Sequence, residues 1–326
     1  MDAVAAPVRR ESRYVRRLGA LLFWISCLCP AGIRAEGMSA STDLNLIASS
    51  LPEGKISLVQ SFTIPVLRGS GFLTQGNSLK ALLTAEVSPI SLNGAAECIL
   101  TPLAFFQLAA GSRIGTGWNI QLFGAGLTGI GRNMPQGDHG AAVDGPAFDG
   151  VFWKGHIGGA LQFDMAALFP GDWHHIVVRT YHEANYKLFS RARGRDAWYY
   201  EADLGENQNG FNYYGNCLIG YQMPGVIKMA GLMAEADKYL YDTPQGELWG
   251  DDLPRWYFSA LAQAALTSRI DAALIVQFQT LRRFTAETQD YAYYRDRRMA
   301  SPGALSLTFY RVVGIITLRL GKTGTS

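Results

Sequence analysis

The sequence predicts an all-β fold: an antiparallel transmembrane β-barrel of about ten strands, with twelve as the alternative, short periplasmic turns and long extracellular loops. Three observations carry this. Apolar and polar residues alternate strictly over long segments, short turns are interleaved with long polar connections, and aromatic residues gather near segment ends. Segment length favours a barrel over a soluble sheet, because soluble strands run about 5–6 residues whereas a membrane-crossing strand needs about 9–11. Composition agrees, with 48% hydrophobic residues, 17% charged residues and 36 glycines.

Residues 1–35 read as a secretory signal peptide: Arg9, Arg10, Arg13, Arg16 and Arg17 precede the apolar run "LGALLFWISCLC", and Ile33-Arg34-Ala35 offers a cleavage site. An N-terminal anchor fits less well, since the apolar run is shorter than the roughly 20 residues a spanning helix needs. Lipidation at Cys27 or Cys29 would require smaller residues before the cysteine. Removing this segment takes six of 29 Lys and Arg and two of 27 Asp and Glu, leaving 23 against 25. That balance leaves no basic footprint for nucleic acid. The remaining cysteines, Cys98 and Cys217, are too few for a disulfide-built scaffold, and both fall on apolar registers.

Residues 36–76 are expected to form a periplasmic or plugging segment, or to supply the first strands. "KISLVQSFTIPV" is an eleventh strand candidate, and an even count requires that it be excluded or given a partner from residues 40–50. The barrel is expected over 77–320, with 321–326 as a tail. "SLKALLTAEV" puts Leu79, Ala81, Leu83, Ala85 and Val87 on one face, against Lys80, Thr84 and Glu86. "GAAECILTPLAFFQLAAG", "GWNIQLFGAG", "FWKGHIGGALQFDM", "RWYFSALAQAAL" and "IDAALIVQFQTLRRF" continue the pattern. Turns at 223–225 and 267–269 alternate with long polar segments at 132–149, 191–209, 242–252 and 286–303. Trp118, Trp153, Trp173, Tyr213, Tyr214 and Trp256 are placed as an interfacial girdle would be. The last strand, "FYRVVGIITLRLG", places Tyr310, Val312, Ile316, Leu318 and Leu320 together.

"GDWHHIVVRTYHEANY" (171–186) looks at first like a metal or acid/base site. Its β-branched Ile176, Val177, Val178 and Thr180 make it a strand. Adjacent His174 and His175 then point to opposite faces, and His174 and His182 lie about 26 Å apart at ~3.3 Å per residue, so no single metal bridges them. His175, Arg179 and Glu183 share the inner face.

"GAGLTG" (124–129) matches the dinucleotide-binding fingerprint in letters only, because Gly131, Pro135, Gly137 and Gly140 forbid the helix that must come after it. "DLGENQNG" (203–210) and "DTPQGELWGDD" (242–252) offer oxygen ligands without calcium-loop spacing, and read as solvated acidic loops. No serine or aspartate motif pairs with His139 or His156 as a barrel hydrolase would require, so neither catalysis nor a cofactor is expected.

"NSLKALLTAEVSPISLNG", "GTGWNIQLFG", "ALFPGDW", "GENQNGFNYYGN" and "YLYDTPQGELWGDDLPRW" together resemble a group of poorly characterised outer-membrane β-barrel proteins of spirochaetes. The resemblance implies an integral, surface-exposed barrel, either a porin-like channel or an antigen, and supplies no residue with a known role. The chain departs from the general barrel pattern in ending on "GKTGTS" instead of a terminal aromatic.

The expected function is passage of small solutes; a structural or adhesive surface protein is the alternative, with loops such as "DAWYYEADLGENQNG" as its contact surface. Candidate lumen-facing binding residues are Lys80, Glu86, Lys154, Asp164, His175, Arg179, Glu183, Arg255, Asp271, Arg283 and Arg311, joined by Glu235 and Asp237. Expected partners are outer-membrane lipid, the barrel-assembly machinery, and small solutes or a host surface ligand. In a narrow barrel such charges pair with one another across the lumen.

Overall fold

The computed structural model describes residues 37–51, 53–122, 125–144, 147–201, 203–240 and 249–324; the expected signal peptide lies outside them. Strands are numbered along the chain. Twelve of them close one antiparallel barrel: β1 (Ser39–Ser49), β2 (Gly54–Pro65), β3 (Ser78–Val87), β4 (Ser91–Leu103), β5 (Phe106–Gly117), β10 (Phe152–Asp164), β11 (Ile176–Phe189), β13 (Gly210–Gln222), β14 (Ile227–Tyr239), β15 (Arg255–Ala265), β16 (Ile270–Arg282) and β17 (Leu305–Gly324). The others lie in loops. β6 (Asn119–Leu122) and β7 (Ala125–Thr128) form a hairpin, while β8 (Ile130–Gln136), β9 (Gly140–Asp144) and β12 (Ala197–Tyr200) form a three-stranded sheet.

The favoured count of ten is corrected to the alternative, twelve. "KISLVQSFTIPV" does find its partner in residues 39–49: β1 pairs with β2 from Ser39↔Thr63 to Ala48↔Gly54. On its other side β1 pairs with β17, from Ser39↔Gly324 to Ser49↔Val313, and closes the barrel. Residues 39–65 therefore belong to the wall, and the last strand continues to Gly324 instead of giving way to a tail at 321. A second correction concerns "GWNIQLFGAG": its described residues form part of a loop hairpin and not a barrel strand.

Direct cross-strand partners share a face, so the register sorts the side chains. Ile157, Leu161, Ile219, Leu232, Phe258, Leu274 and Ile316 point outward and are exposed. The opposite register holds buried polar residues such as Ser57, Asn93, Glu183, Asn185, Asn212, Ser259, Asp271 and Gln277. Apolar outside and polar inside is stable only where lipid surrounds the barrel and water fills it. Cys98 and Cys217 are free and exposed on the outward register. The C-terminal pattern breaks at one point, where a register shift after Gln277↔Arg311 brings Phe309, not Tyr310, opposite Phe278. Tyr310 then lies against inward Tyr257, with ring centroids 5.8 Å apart.

Both barrel termini lie at one end. The long connections 118–151, 190–209, 240–254 and 283–304 all lie at the other, which the general barrel pattern makes extracellular. Connections 50–53 and 88–90 at that same end are short, so the loops crown only part of the rim. Trp153 and Trp256 face outward near this rim and Trp173 lies at the opposite one. Tyr214, expected in the girdle, points inward and donates to Glu235 at 2.6 Å.

This sidedness makes a mutational expectation. Leu232, in the middle of β14, is 68% exposed on the outer face. Leu232→Arg should lower stability by about 2–4 kcal/mol, the cost of a cation near the bilayer midplane. Guanidinium unfolding in lipid vesicles measures it; an unchanged midpoint would reverse the assignment of faces.

Candidate functional site

Charged side chains on the inner wall pair with one another, between adjacent strands or across one intervening strand. Arg113 on β5 reaches Glu86 on β3 at 2.6 Å, and Lys55 on β2 lies 3.9 Å from the same carboxylate. Lys154 on β10 meets Glu183 on β11 at 2.7 Å. Lys187 and Arg255 flank Asp237 at 3.3 and 3.7 Å. Arg311 reaches Glu53 at 2.6 Å, and Arg319 pairs with Asp271. Each pair offsets part of the cost of removing its partner from water.

Into this wall folds the loop 190–209. Its strand β12 pairs with β8 from Ala197↔Asn133 to Tyr200↔Ile130, so two long loops join in one small sheet within the mouth. The sheet is anchored by apolar packing: Trp198 and Phe189 have 0% exposure and pack with Ile130 and the inward Phe152. Asn209 fixes the loop's return to the wall, accepting from the Phe189 amide at 2.7 Å and donating to the Phe189 carbonyl at 3.2 Å.

Beyond this anchor the chain turns at Glu201, whose φ of 53° is left-handed, a conformation that costs an L-residue other than glycine about 1 kcal/mol. The turn aims its carboxylate at the β2–β5 wall. Ser91 Oγ donates at 2.7 Å, Asn93 Nδ2 at 2.7 Å and Lys55 Nζ at 3.1 Å, with Arg113 at 3.5 Å. Tyr200 adds a hydrogen bond from its hydroxyl to Asn93. Burial alone would raise the pKa of Glu201, but Lys55 and Arg113, with hydrogen bonds from Ser91 and Lys55, hold it below the ordinary carboxylate value.

Two of the cavities along the interior concern these side chains. One, of about 380 Å³, opens at the mouth beside Glu53, Lys55, Glu201, Tyr310 and Arg311. The second, of about 400 Å³, lies deeper against β4, β5, β10, β11 and β13, between Glu97, His156, Arg179 and Tyr181.

Of the sequence-selected residues, Glu86, Lys154, Glu183, Arg255, Asp271 and Arg311 join the inner pairs above. Glu235 and Asp237 face inward too, opposite Tyr257 and Arg255. Asp164 and His175 meet at 2.7 Å near the other rim, and Arg179 lies over the Tyr181 ring at 5.6 Å. Lys80 is on the inner register opposite Ile99, next to the Leu82–Glu97 pair, and meets no carboxylate within 4 Å among the described residues. Arg283 is a correction: it lies just past the end of β16 and is exposed, while its neighbour Arg282 is buried against Glu206. His182 points outward to Tyr213, apart from His175.

The loop readings also change. "DLGENQNG" is not simply a solvated turn, because Glu206, Asn207 and Gln208 are buried and Glu206 holds Arg282. Only Trp249 to Asp252 of "DTPQGELWGDD" lie among the described residues, and Trp249 is buried, donating to the Arg295 carbonyl at 2.6 Å. After "GAGLTG" the chain enters strand β8, not a helix. Sequence reasoning missed Lys55, Arg113, Lys187 and Glu201. Arg113 and Lys187 occupy the polar register of their strands and could have been found there, whereas nothing local marks Glu201.

No protein-family model matches the chain, and neither does any curated protein. Among solved structures it is similar to the KdgM porin in complex with disordered oligogalacturonate, at 10% identity over 86% of this chain and 99% of that one, with a TM-score of 0.39. It is also similar to the NanC porin, at 7% identity over 86% and 99% with a TM-score of 0.40. The β domain of the Bordetella autotransporter Brka gives 12% identity over 88% and 100%, with a TM-score of 0.40. Function has to be read from this chain's own geometry. A closed barrel with an apolar exterior and a charged interior belongs in an outer membrane. The chain is an integral outer-membrane β-barrel.

The Glu201 contacts carry two expectations. Glu201→Gln leaves Lys55 with a weaker partner and should loosen the turn by about 1–3 kcal/mol, seen as faster cleavage after Tyr199 or Tyr200, which flank it and are half-buried in the docked loop. Unchanged cleavage would mean that the apolar anchor alone holds the loop. The pH dependence has a definite sign, because a depressed folded-state pKa stabilises docking above the ordinary carboxylate range and loses that contribution as pH falls through the lower value. Cleavage of the wild type should therefore stay constant from pH 7 to about 5 and accelerate only below about 4, measured with an acid-active protease.

Proposed function

We propose that the chain is a porin-like channel for small solutes, with the 190–209 loop as its constriction. The observation that carries this is the polar interior: a charged wall and cavities of about 380 and 400 Å³ within a barrel whose outside is apolar. The barrel walls off lipid, the paired charges keep the interior wet, and the Glu201 turn narrows the passage from one side. The resemblance to spirochaete outer-membrane barrels fits a passage at a cell surface, and insertion by the barrel-assembly machinery fits a closed sheet of this kind. The inward side chains are assigned to solute contact and not to catalysis. The inner carboxylates Glu86, Glu183 and Asp237 are engaged by cations. The adhesive reading is weakened by the loop it relied on, since Trp198 and the 206–208 stretch are buried.

Planar-bilayer recording of the refolded barrel tests the proposal. The wild type should give small unit currents, and Glu201→Gln should increase them and shift selectivity toward anions, because a negative charge beside Lys55 and Arg113 is lost. A silent wild type and a silent variant together would overturn the channel reading.

A further inference from the structure

We infer that the deeper cavity is a subsite for a small zwitterion, one carrying a carboxylate and an ammonium group. The inference rests on the channel reading. The space exists because the inner faces of β5 and β10 carry small residues: Ala109 and Ala160 line it, and a side-chain carbon on Gly158 would lie 2.7 Å from the Tyr181 hydroxyl oxygen. At about 400 Å³ it falls within the usual range of about 300–1,000 Å³ for ligand sites.

Most polar groups around it are already committed. Tyr181 donates to Glu183 at 2.9 Å, Glu183 also holds Lys154 at 2.7 Å, Tyr214 donates to Glu235 at 2.6 Å, and Asn216 donates to Tyr214 at 3.3 Å. Two charges are left over. Arg179 meets no carboxylate within 4 Å among the described residues and rests only over the Tyr181 ring. Glu97 has one charged neighbour there, His156 at 3.6 Å, which carries charge only when protonated. The cavity thus presents one guanidinium with no carboxylate partner within 4 Å among the described residues and one carboxylate whose neighbouring cation there is His156 alone, across a space bordered by an aromatic ring. A zwitterion satisfies both at once, whereas a singly charged solute leaves one of them unpaired.

Proteoliposome swelling with the full barrel tests this, using glutamine as the zwitterion, glucose as a neutral solute of similar size, and N-acetylglutamine and glutamine methyl ester as the singly charged analogues. Glutamine should enter faster than glucose by roughly tenfold, about the worth of one charge-assisted hydrogen bond, and each analogue should lose most of that advantage. Arg179→Gln and Glu97→Gln should each bring glutamine down to the glucose rate, and Arg179→Lys should restore part of the difference; heat-modifiable migration checks that each variant is folded. If glucose enters but glutamine gains nothing, or if both variants keep the wild-type ratio, the subsite is refuted and the channel stands. If neither solute enters, the channel reading falls and the subsite with it.

Discussion

Everything in this structure depends on the closure of the sheet. In hydrocarbon no water is available for an unpaired amide or carbonyl, and each such group would cost several kcal/mol. The seam between β1 and β17 removes the last open edge, running from Ser39↔Gly324 to Ser49↔Val313. Adding β1 and β2 also widens the barrel, since diameter grows with strand number. That width sets what the lumen can hold. A narrower barrel fills with its own side chains, whereas this one admits a three-stranded loop sheet at its mouth and keeps a cavity below.

Once the wall is closed, its inner face sets a second constraint. Charges turned toward the lumen must be solvated or paired, and β-sheet geometry supplies partners on adjacent strands within reach of long side chains. Lys154 with Glu183 and Arg255 with Asp237 are solutions of this kind, and Arg113 reaches Glu86 across one intervening strand. Glu201 is different in origin, because it comes from a loop and meets Lys55 and Arg113 from across the lumen. The wall is therefore complete without the loop, while the loop depends on the wall for partners to its carboxylate. Such an arrangement suits a constriction that can be withdrawn without unfolding the barrel.

The same distinction explains what is legible in the sequence. Alternation is a local property, and it locates barrel strands such as β3, β10, β11, β15, β16 and β17 and the side of the wall on which Glu183, Arg255 and Asp271 lie, while it passes over the loop strands β8, β9 and β12. β1 is harder to read because polar residues stand on both of its faces. Thr42 occupies the outward register and is accommodated by donating to Gln60 at 2.6 Å, while Ile47 occupies the inward register opposite Ile315. The shift that sends Tyr310 inward is equally invisible to a strict period of two. The candidate site is half legible: its wall charges obey periodicity, but the contact of Glu201 with Lys55 spans 146 positions and depends on how two loops pair. Arg283 shows the limit at a strand end, where parity no longer fixes the surroundings of a side chain.

The energetics of the loop also indicate which part of it can move. Withdrawing the whole 190–209 segment would expose Trp198, which is fully buried against Phe152 and Phe189, and a buried aromatic of this size is worth more than any single polar contact in the mouth. The Glu201 turn has the opposite balance. Its carboxylate is held by hydrogen bonds that water can replace, and its left-handed backbone opposes docking by about 1 kcal/mol. Asn207, donating to the Trp198 carbonyl at 3.1 Å, ties the far side of the turn to the anchored strand. The contact that costs least to break is therefore that of the Glu201 carboxylate alone, because Tyr199 and Tyr200 are held in the three-stranded sheet and Glu206 is held by Arg282. Releasing that carboxylate changes the charge beside Lys55 and Arg113 while leaving the deeper cavity at Arg179 and Glu97 as it is, which on the proposed reading keeps passage at the mouth independent of the site below it.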